Sequence, residues 1–462
     1  MTLIKSISGI RGTIGGKIGD GLTPLDTLRF AAAYGTWIKK SSDVQRPKIV
    51  VGRDARISGE MISNIVISTL QGLGIDVVNL DLSTTPTVEI AVPMEQAQGG
   101  IILTASHNPK QWNALKLLNA KGEFVSSKDG AEILEIAEKN DFDFAEVDDL
   151  GTVIKDDSYL QKHISEVLNL PLVNADAIRR KNFKIVVDAV NSTGGIFVPA
   201  LLKALGVKKV TELYCEPTGH FPHNPEPLPE NLTEISDKIK ATGADLGIVV
   251  DPDVDRLAFV CEDGSMFGEE YTLVAIADYV LSNTPGSTVS NLSSTISLKE
   301  ITEGHNCTYN AASVGEVNVV EKMKATNAII GGEGNGGVIY PESHYGRDAL
   351  VGIGLFLTHM AKSGLTASEL RGEYPNYFIS KNKIRLEAGM DVDGILKEIT
   401  QLYKNHEVDT QDGVKIYFEN GEWVHLRKSN TEPIIRIYSE SKDENQANKL
   451  ARTIMDNINA LV

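Results

Sequence analysis

One strand pattern returns along this chain, and that return constrains the fold more than any other feature. Lys48-Ile49-Val50-Val51-Gly52 is matched by Lys184-Ile185-Val186-Val187-Asp188 and, more faintly, by Asn327-Ala328-Ile329-Ile330-Gly331. Short apolar runs bounded by turn residues mark strands buried on both faces. Helical stretches separate them. One starts after Thr23-Pro24, where threonine caps and proline suits the first turn; others span about 58–72 and run from Asp348 to Ala361 ahead of Gly364. Further strands are predicted at 75–80, 99–103 and 245–250. The alternation has βαβ spacing, so a largely parallel sheet is expected, with one α/β unit used three times.

The tail breaks the pattern. A helix at 391–403, strands at 414–418, 423–426 and 434–440, and a helix at 444–458 give the order of an antiparallel α+β domain. The acidic, weakly apolar segment 140–157 is predicted to be a linker, with further boundaries near 260–268 and 372–380. The expected fold class is therefore α/β: mixed α/β domains at 1–150, 151–260 and 261–375, then an α+β domain at 376–462. A chain of 462 residues accommodates this, at roughly 100–150 residues per domain.

Charge narrows the partners. A net charge of −17 argues against nucleic acid and acidic membrane surfaces, so any anionic substrate must be met by local cations. Cys215, Cys261 and Cys307 are far apart and odd in number, which fits free thiols rather than disulfides or zinc. The opening residues lack a signal-type apolar core, and no apolar run reaches membrane-spanning length; a cytoplasmic protein is expected.

Four loops carry chemistry. The strand Gly99–Leu103 runs out into Thr104-Ala105-Ser106-His107-Asn108-Pro109, delivering Ser106 to the rim of a sheet, where open α/β sheets place ligands. A serine-hydrolase reading fails: the nucleophile-elbow glycines are missing, and His107, as the adjacent residue, is badly placed to act as base. Asp251-Pro252-Asp253-Val254-Asp255-Arg256 crowds three carboxylates into a turn between apolar strands. A hard divalent cation is their natural neutraliser. An EF-hand is excluded because Arg256 stands where its glycine must be. Gly332-Glu333-Gly334-Asn335-Gly336-Gly337 contains a dinucleotide-type spacing, but no helix follows it. Its glycines let backbone approach a ligand, with Glu333 and Asn335 available to sugar hydroxyls. Arg427-Lys428-Ser429-Asn430-Thr431-Glu432-Pro433 offers cations, hydroxyls (Ser429, Thr431), the Asn430 amide and loop N–H groups to a phosphate, with Arg436 just beyond.

In this order and spacing the four loops resemble the α-D-phosphohexomutase family of phosphoglucomutases, phosphomannomutases and phosphoglucosamine mutases. Ser8-Gly9-Ile10-Arg11-Gly12 resembles the family's opening, adding Arg11 to the catalytic residues. The resemblance runs nearly end to end. It implies four domains around a central cleft, three of them homologous. It further implies a phosphoserine at Ser106, Mg²⁺ held by Asp251, Asp253 and Asp255 together with the Ser106 phosphate, and a hexose 1,6-bisphosphate as intermediate and activator. The sugar loop, with Gly337 where many members carry histidine, is similar to that of archaeal-type phosphoglucosamine mutases. An acid–base role therefore cannot be carried over to position 337. Asn113-Ala114-Leu115-Lys116 keeps the family's lysine, so Lys116 is the expected base, with Arg256 second. A lysine base needs a lowered pKa. The expected reaction is interconversion of glucosamine 6-phosphate and glucosamine 1-phosphate, with glucose and mannose phosphates weaker. Two rivals stand beside it. One is a dehalogenase-type phosphotransferase with Asp251 as nucleophile, which leaves Ser106 unexplained. The other is a non-catalytic sugar-phosphate-binding protein, which would have no need of Ser106, the aspartates and Lys116 together.

Overall fold

The computed structural model describes residues 2–6, 9–385, 391–428 and 434–461. The chain divides into two compact units, Met1–Thr272 with Asn335–Arg371, and Leu273–Gly334 with Gly372–Val462.

The first unit opens with β1 (Ile4–Ser6) and β2 (Gly9–Thr13), followed by α1 (Pro24–Ser41). Thr23 and Asp26 close a capping box at the start of α1, and Lys39 and Lys40 sit in its last turn, where the helix dipole favours cations. There follow β3 (Lys48–Arg53), α2 (Gly59–Gly72), β4 (Asp76–Leu82), α3 (Thr85–Met94), β5 (Gly99–Leu103), β6 (Trp112–Leu118) and α4 (Ser127–Lys139). With β7 (Val153–Lys155) they form a seven-stranded sheet in the order β1-β2-β6-β5-β3-β4-β7. Ile49, Val51, Ile101 and Leu103 from its centre pack with Phe30, Tyr34 and Ile62 in one buried cluster.

The second round uses α5 (Tyr159–Asn169), α6 (Ala175–Lys181), β8 (Lys184–Asp188), α7 (Gly194–Ala204), β9 (Lys209–Leu213), α8 (Thr233–Thr242), β10 (Leu246–Val250) and β11 (Leu257–Cys261). Its sheet order is β11-β10-β8-β9. After α9 (Glu269–Asn283), the second unit carries β12 (Thr288–Asn291), α10 (Ser297–Gly304), β13 (Tyr309–Ala312), α11 (Glu316–Thr326) and β14 (Ile330–Glu333). β15 (Gly337–Ile339) and α12 (Ala349–Ser363) belong to the first unit, and α13 (Ala367–Gly372) follows them.

The repeat is real in topology. In each round the first strand lies between the second and the third, all parallel: β3 between β4 and β5, β8 between β9 and β10, β12 between β13 and β14. In the first two rounds a fourth, antiparallel strand joins the third. The serine, acidic and sugar loops all follow the third strand of their round, at the carboxyl ends that favour ligands.

The tail consists of β16 (Phe378–Arg385), α14 (Val392–Leu402), β17 (Glu407–Asp409), β18 (Val414–Tyr417), β19 (Trp423–Lys428), β20 (Ile434–Ser441) and α15 (Glu444–Leu461). Its sheet is antiparallel throughout, in the order β16-β20-β19-β18-β17. Ile395, Ile399, Ile454 and Ile458 of the two helices close its core over Val424 and Ile437. No helix among the described residues is long and apolar enough to cross a membrane.

Two expectations change. The first sheet is mixed rather than largely parallel, since β1, β2 and β6 run antiparallel to their neighbours. The segment 140–157 is not a plain linker: Val153–Lys155 pairs with β4 as an edge strand. Gly9–Thr13, which carries Arg11, is a strand because its amides pair with β6.

Candidate active site

Ser106 sits on the loop between β5 and β6 with φ = 49°, the left-handed region that a non-glycine residue seldom adopts away from functional sites. Its Oγ donates to Asp251 Oδ2 at 2.8 Å, and its backbone N–H donates to Thr104 Oγ1 at 2.9 Å. Thr104 in turn donates to Asp54 Oδ2 at 2.7 Å. Beneath the loop lies a guanidinium that sequence reading did not single out. Arg56 is fully buried and pairs with Asp54 at 3.0 Å. It also donates to the carbonyls of Pro109 (2.8 Å), Trp112 (3.0 Å), Asn108 (2.7 Å) and Ser106. One planar fork thus fixes the loop's backbone at several points, which a lysine could not do.

The acidic turn between β10 and β11 is equally constrained. Asp251, Asp253 and Asp255 are all fully buried, and one oxygen from each lies within 4.8 Å of the others. Val254 between them has φ = 64°, a strained value for a β-branched residue. Asp251 Oδ1 accepts the backbone N–H groups of Asp255 (3.2 Å) and Arg256 (3.1 Å). Asp253 Oδ2 accepts from Thr85 Oγ1 (2.6 Å) and Lys116 Nζ (2.7 Å). Asp255 Oδ2 accepts from Arg347 Nη2 at 2.7 Å and more weakly from Lys116 at 3.4 Å. Asp253 Oδ1 and Asp255 Oδ1 are buried without a hydrogen-bond partner. Orphaned carboxylate oxygens converging with a third carboxylate fit a hard divalent cation.

The charges of the cluster follow from its surroundings. Burial, with Asp253 and Asp255 adding repulsion, pushes the Asp251 carboxyl well above its usual range. Burial also opposes ionisation of Asp253, but the charge and hydrogen bond of Lys116 outweigh it and hold that carboxyl low. Lys116 is the reciprocal case. Burial would lower it, yet Asp253 and Asp255 raise it above the ordinary lysine value. A lysine base needs a lowered pKa, and the two carboxylates that face Lys116 work against one in these contacts.

The structure brings Ser106, Asp251, Asp253, Asp255 and Lys116 together directly, with Arg11 and Arg256 around them. Arg11 Nη1 donates to Asn108 Oδ1 of the serine loop at 3.3 Å. Burial lowers its pKa from the ordinary arginine value; Asp253 opposes this and Arg256 reinforces it. Arg256 Nη1 reaches Glu226 at 3.4 Å, while its buried Nε has no partner, leaving a donor for a ligand. His107 also differs from expectation. Its Nδ1 lies 3.4 Å from Ser106 Oγ, and burial with the charges of Arg256 and Arg11 holds the ring well below its usual pKa, hence neutral at pH 7.

The sugar loop divides between the units. In the second, Glu333 Oε1 accepts from Asn291 Nδ2 (2.8 Å) and Gly315 N–H (3.2 Å). In the first, Asn335 Oδ1 accepts the Gly337 N–H at 3.2 Å, and Leu257 N–H donates to the Gly336 carbonyl at 3.1 Å. A Cβ on Gly336 would stand 2.2 Å from the Leu257 carbonyl oxygen, so only glycine fits. In the tail, Arg427 lies directly opposite Arg436 on the next strand, and Arg436 directly opposite Lys383 beyond it. Like charges facing one another across strands are unfavourable and invite an anion. Asp412 balances only the Arg427 end, at 3.1 Å. Lys383 was missed because strand register, not local sequence, places it there. Ser429, Asn430 and Thr431 lie outside the described residues.

Family models for phosphoglucomutase/phosphomannomutase match in sequence order: α/β/α domain I over residues 3–144, domain II over 158–264, domain III over 268–377 and the C-terminal domain over 382–457. A phosphoglucomutase/phosphomannomutase of Thermococcus kodakarensis is 37% identical over 442 residues, covering 94% of this chain and 95% of the relative. A phosphoglucosamine/phosphogalactosamine mutase of Sulfurisphaera tokodaii is 32% identical, covering 96% of this chain and 97% of its own. The crystal structure of a phosphoglucomutase/phosphomannomutase family protein from Burkholderia thailandensis superposes with a TM-score of 0.85 at 24% identity, covering 99% of this chain and 98% of that one.

Proposed function

We propose that this chain, which belongs to the phosphoglucomutase/phosphomannomutase family, interconverts glucosamine 6-phosphate and glucosamine 1-phosphate through a phosphoserine at Ser106. The chain is a phosphohexomutase, an enzyme of the isomerase and intramolecular phosphotransferase type. The observation that carries the serine assignment is the 2.8 Å hydrogen bond from Ser106 Oγ to Asp251 in a buried triad with orphaned oxygens. Phosphoryl transfer asks the protein mainly for positioning and charge neutralisation. Asp251, Asp253 and Asp255 would hold Mg²⁺, which supplies neutralising charge to phosphoryl oxygens.

In the proposed cycle the phosphoryl group leaves Ser106 Oγ for a sugar hydroxyl: the bond from Oγ to phosphorus breaks as the sugar oxygen bonds to phosphorus, and the hydroxyl's proton ends on Oγ, giving a hexose 1,6-bisphosphate and a free serine. After the intermediate reorients, its other phosphoryl group returns to Oγ. Arg11 and Arg256 present guanidinium donors beside the serine loop, and Lys116 contributes a fixed positive charge. The Arg427, Arg436 and Lys383 row would bind a phosphate group.

Two things support glucosamine. Several curated relatives of about 30% identity over nearly the full length bear the name "probable phosphoglucosamine mutase". The acidic character of the chain, with a net charge of −17, also favours an ammonium at C2 over a neutral hydroxyl, while Glu333 offers acceptors to hydroxyls that both sugars share. A second reading, phosphoglucomutase/phosphomannomutase, is favoured by the Thermococcus relative. The test is kcat/KM on glucosamine, glucose and mannose phosphates in parallel. Highest efficiency on glucosamine phosphate is expected; a clear preference for mannose or glucose phosphate selects the second reading.

A further inference from the structure

Gly337 and Arg347 occupy one space. Gly337 carries no side chain, and a Cβ built on it would lie 2.3 Å from Arg347 Cδ and 3.1 Å from its Cγ. Arg347 is anchored for this placement: its backbone bridges antiparallel to Ile339, and the next residue, Asp348, caps α12. From there the side chain, mostly buried, brings Nη2 to 2.7 Å from Asp255 Oδ2. Asp255 Oδ1, on the other side of the same carboxylate, is the orphaned oxygen that faces no protein donor.

We infer that Arg347 is a positioning residue that acts through Asp255, and that residue 337 is glycine to make room for it. This rests on the mutase reading and on the acidic turn as the Mg²⁺ site. A carboxylate already accepting a hydrogen bond from a guanidinium gives less charge to a cation on its other oxygen. Arg347 thereby loosens Mg²⁺ at this ligand and leaves the ion more positive toward phosphoryl oxygens. It also holds the plane of Asp255 so that Oδ1 points into the triad.

The test uses Arg347→Met, which keeps the stem, Arg347→Lys, and Gly337→Ala, whose methyl group evicts the stem while leaving the arginine in the chain. Mg²⁺ alone is titrated into the full-length protein by calorimetry, and kcat and KM are measured separately. Arg347→Met should bind Mg²⁺ on the order of tenfold more tightly, the size of coupling between touching groups. It should turn over at least about tenfold more slowly, with KM little changed. Gly337→Ala should move both readouts the same way, and Arg347→Lys should fall between Arg347→Met and the unaltered protein. Combining Gly337→Ala with Arg347→Met should add nothing. Weaker or unchanged Mg²⁺ affinity in Arg347→Met, or additive losses in the double variant, overturns the inference. If the unaltered protein fails to turn over hexose phosphates, the mutase reading falls instead, and the Mg²⁺ titration still decides the role of Arg347.

Discussion

Replacing Arg56 should loosen the serine loop far more than its position beneath the site suggests. Arg56→Ala leaves Asp54 fully buried with only Thr104 and a backbone amide as donors, and strips a donor from the carbonyls of Ser106, Asn108, Pro109 and Trp112. Breaking a buried ion pair from one side costs about 3–5 kcal/mol. The lost carbonyl bonds overlap with that figure rather than add to it. Because a multidomain chain need not unfold in one step, local opening is the better measure. Hydrogen exchange over residues 99–118 should lose about a hundredfold or more of its protection in Arg56→Ala. Arg56→Lys, which keeps the charge and loses the fork, should sit between. Asp54→Asn with Arg56→Met, which removes both charges, should recover much of the protection without recovering kcat. Protection within about fivefold of the unaltered protein in Arg56→Ala would refute the clamp.

Replacing any one of Asp251, Asp253 and Asp255 with Ala should raise the Mg²⁺ requirement and lower kcat by at least about tenfold; full activity in excess chelator contradicts the metal assignment. Arg427→Ala should raise KM for the sugar phosphate about ten- to a hundredfold, and Lys383→Ala by a smaller factor, since one charge-assisted hydrogen bond is worth ~1.5–3 kcal/mol. An unchanged KM in both would put the phosphate elsewhere. Glu440, buried beside Trp423 and the Ile296 N–H, has its pKa pushed up to about 7, chiefly by burial. The folded chain then keeps a proton that the unfolded chain loses, so stability is full below about pH 4.5 and declines as pH rises to about 7. Glu440→Gln should gain up to about 3 kcal/mol on the unaltered protein at pH 8 and little at pH 4. Equal pH slopes in the two proteins would exclude this role.

Much of the fold was legible because its signals are local. Apolar runs such as Ile49–Val51 and Ile185–Val187 report buried parallel strands, and Thr23-Pro24 and Gly364 mark helix ends. The edge strand Val153–Lys155 was not legible, because three exposed residues carry no period and only the neighbouring β4 makes them a strand. The site divides in the same way. Ser106 and the three aspartates lie in loops whose composition changes abruptly, and the tail arginines stand on the strands that flank such a loop. Arg56 holds the Ser106 carbonyl from 50 residues away and Arg347 holds Asp255 from 92, where no local pattern exists. A hint was present in each case: Arg53-Asp54-Ala55-Arg56 turns polar straight after a buried strand, and Gly337 lacks a side chain at a ligand loop. Lys116 shows the opposite limit, since sequence supplies the lysine but not the two carboxylates that keep it charged.

The proposed cycle requires Ser106 to carry the phosphoryl group in turn with the sugar. The most direct measurement is peptide mass spectrometry of the full-length protein after incubation with a hexose 1,6-bisphosphate and Mg²⁺, with and without an acid wash. The account predicts one phosphoryl group on the Ser106 peptide, stable to acid as a phosphate ester is, and none at this position in Ser106→Ala. An acid-labile phosphoryl group on Asp251, or an unmodified Ser106 in a protein that turns over hexose phosphates, would contradict it.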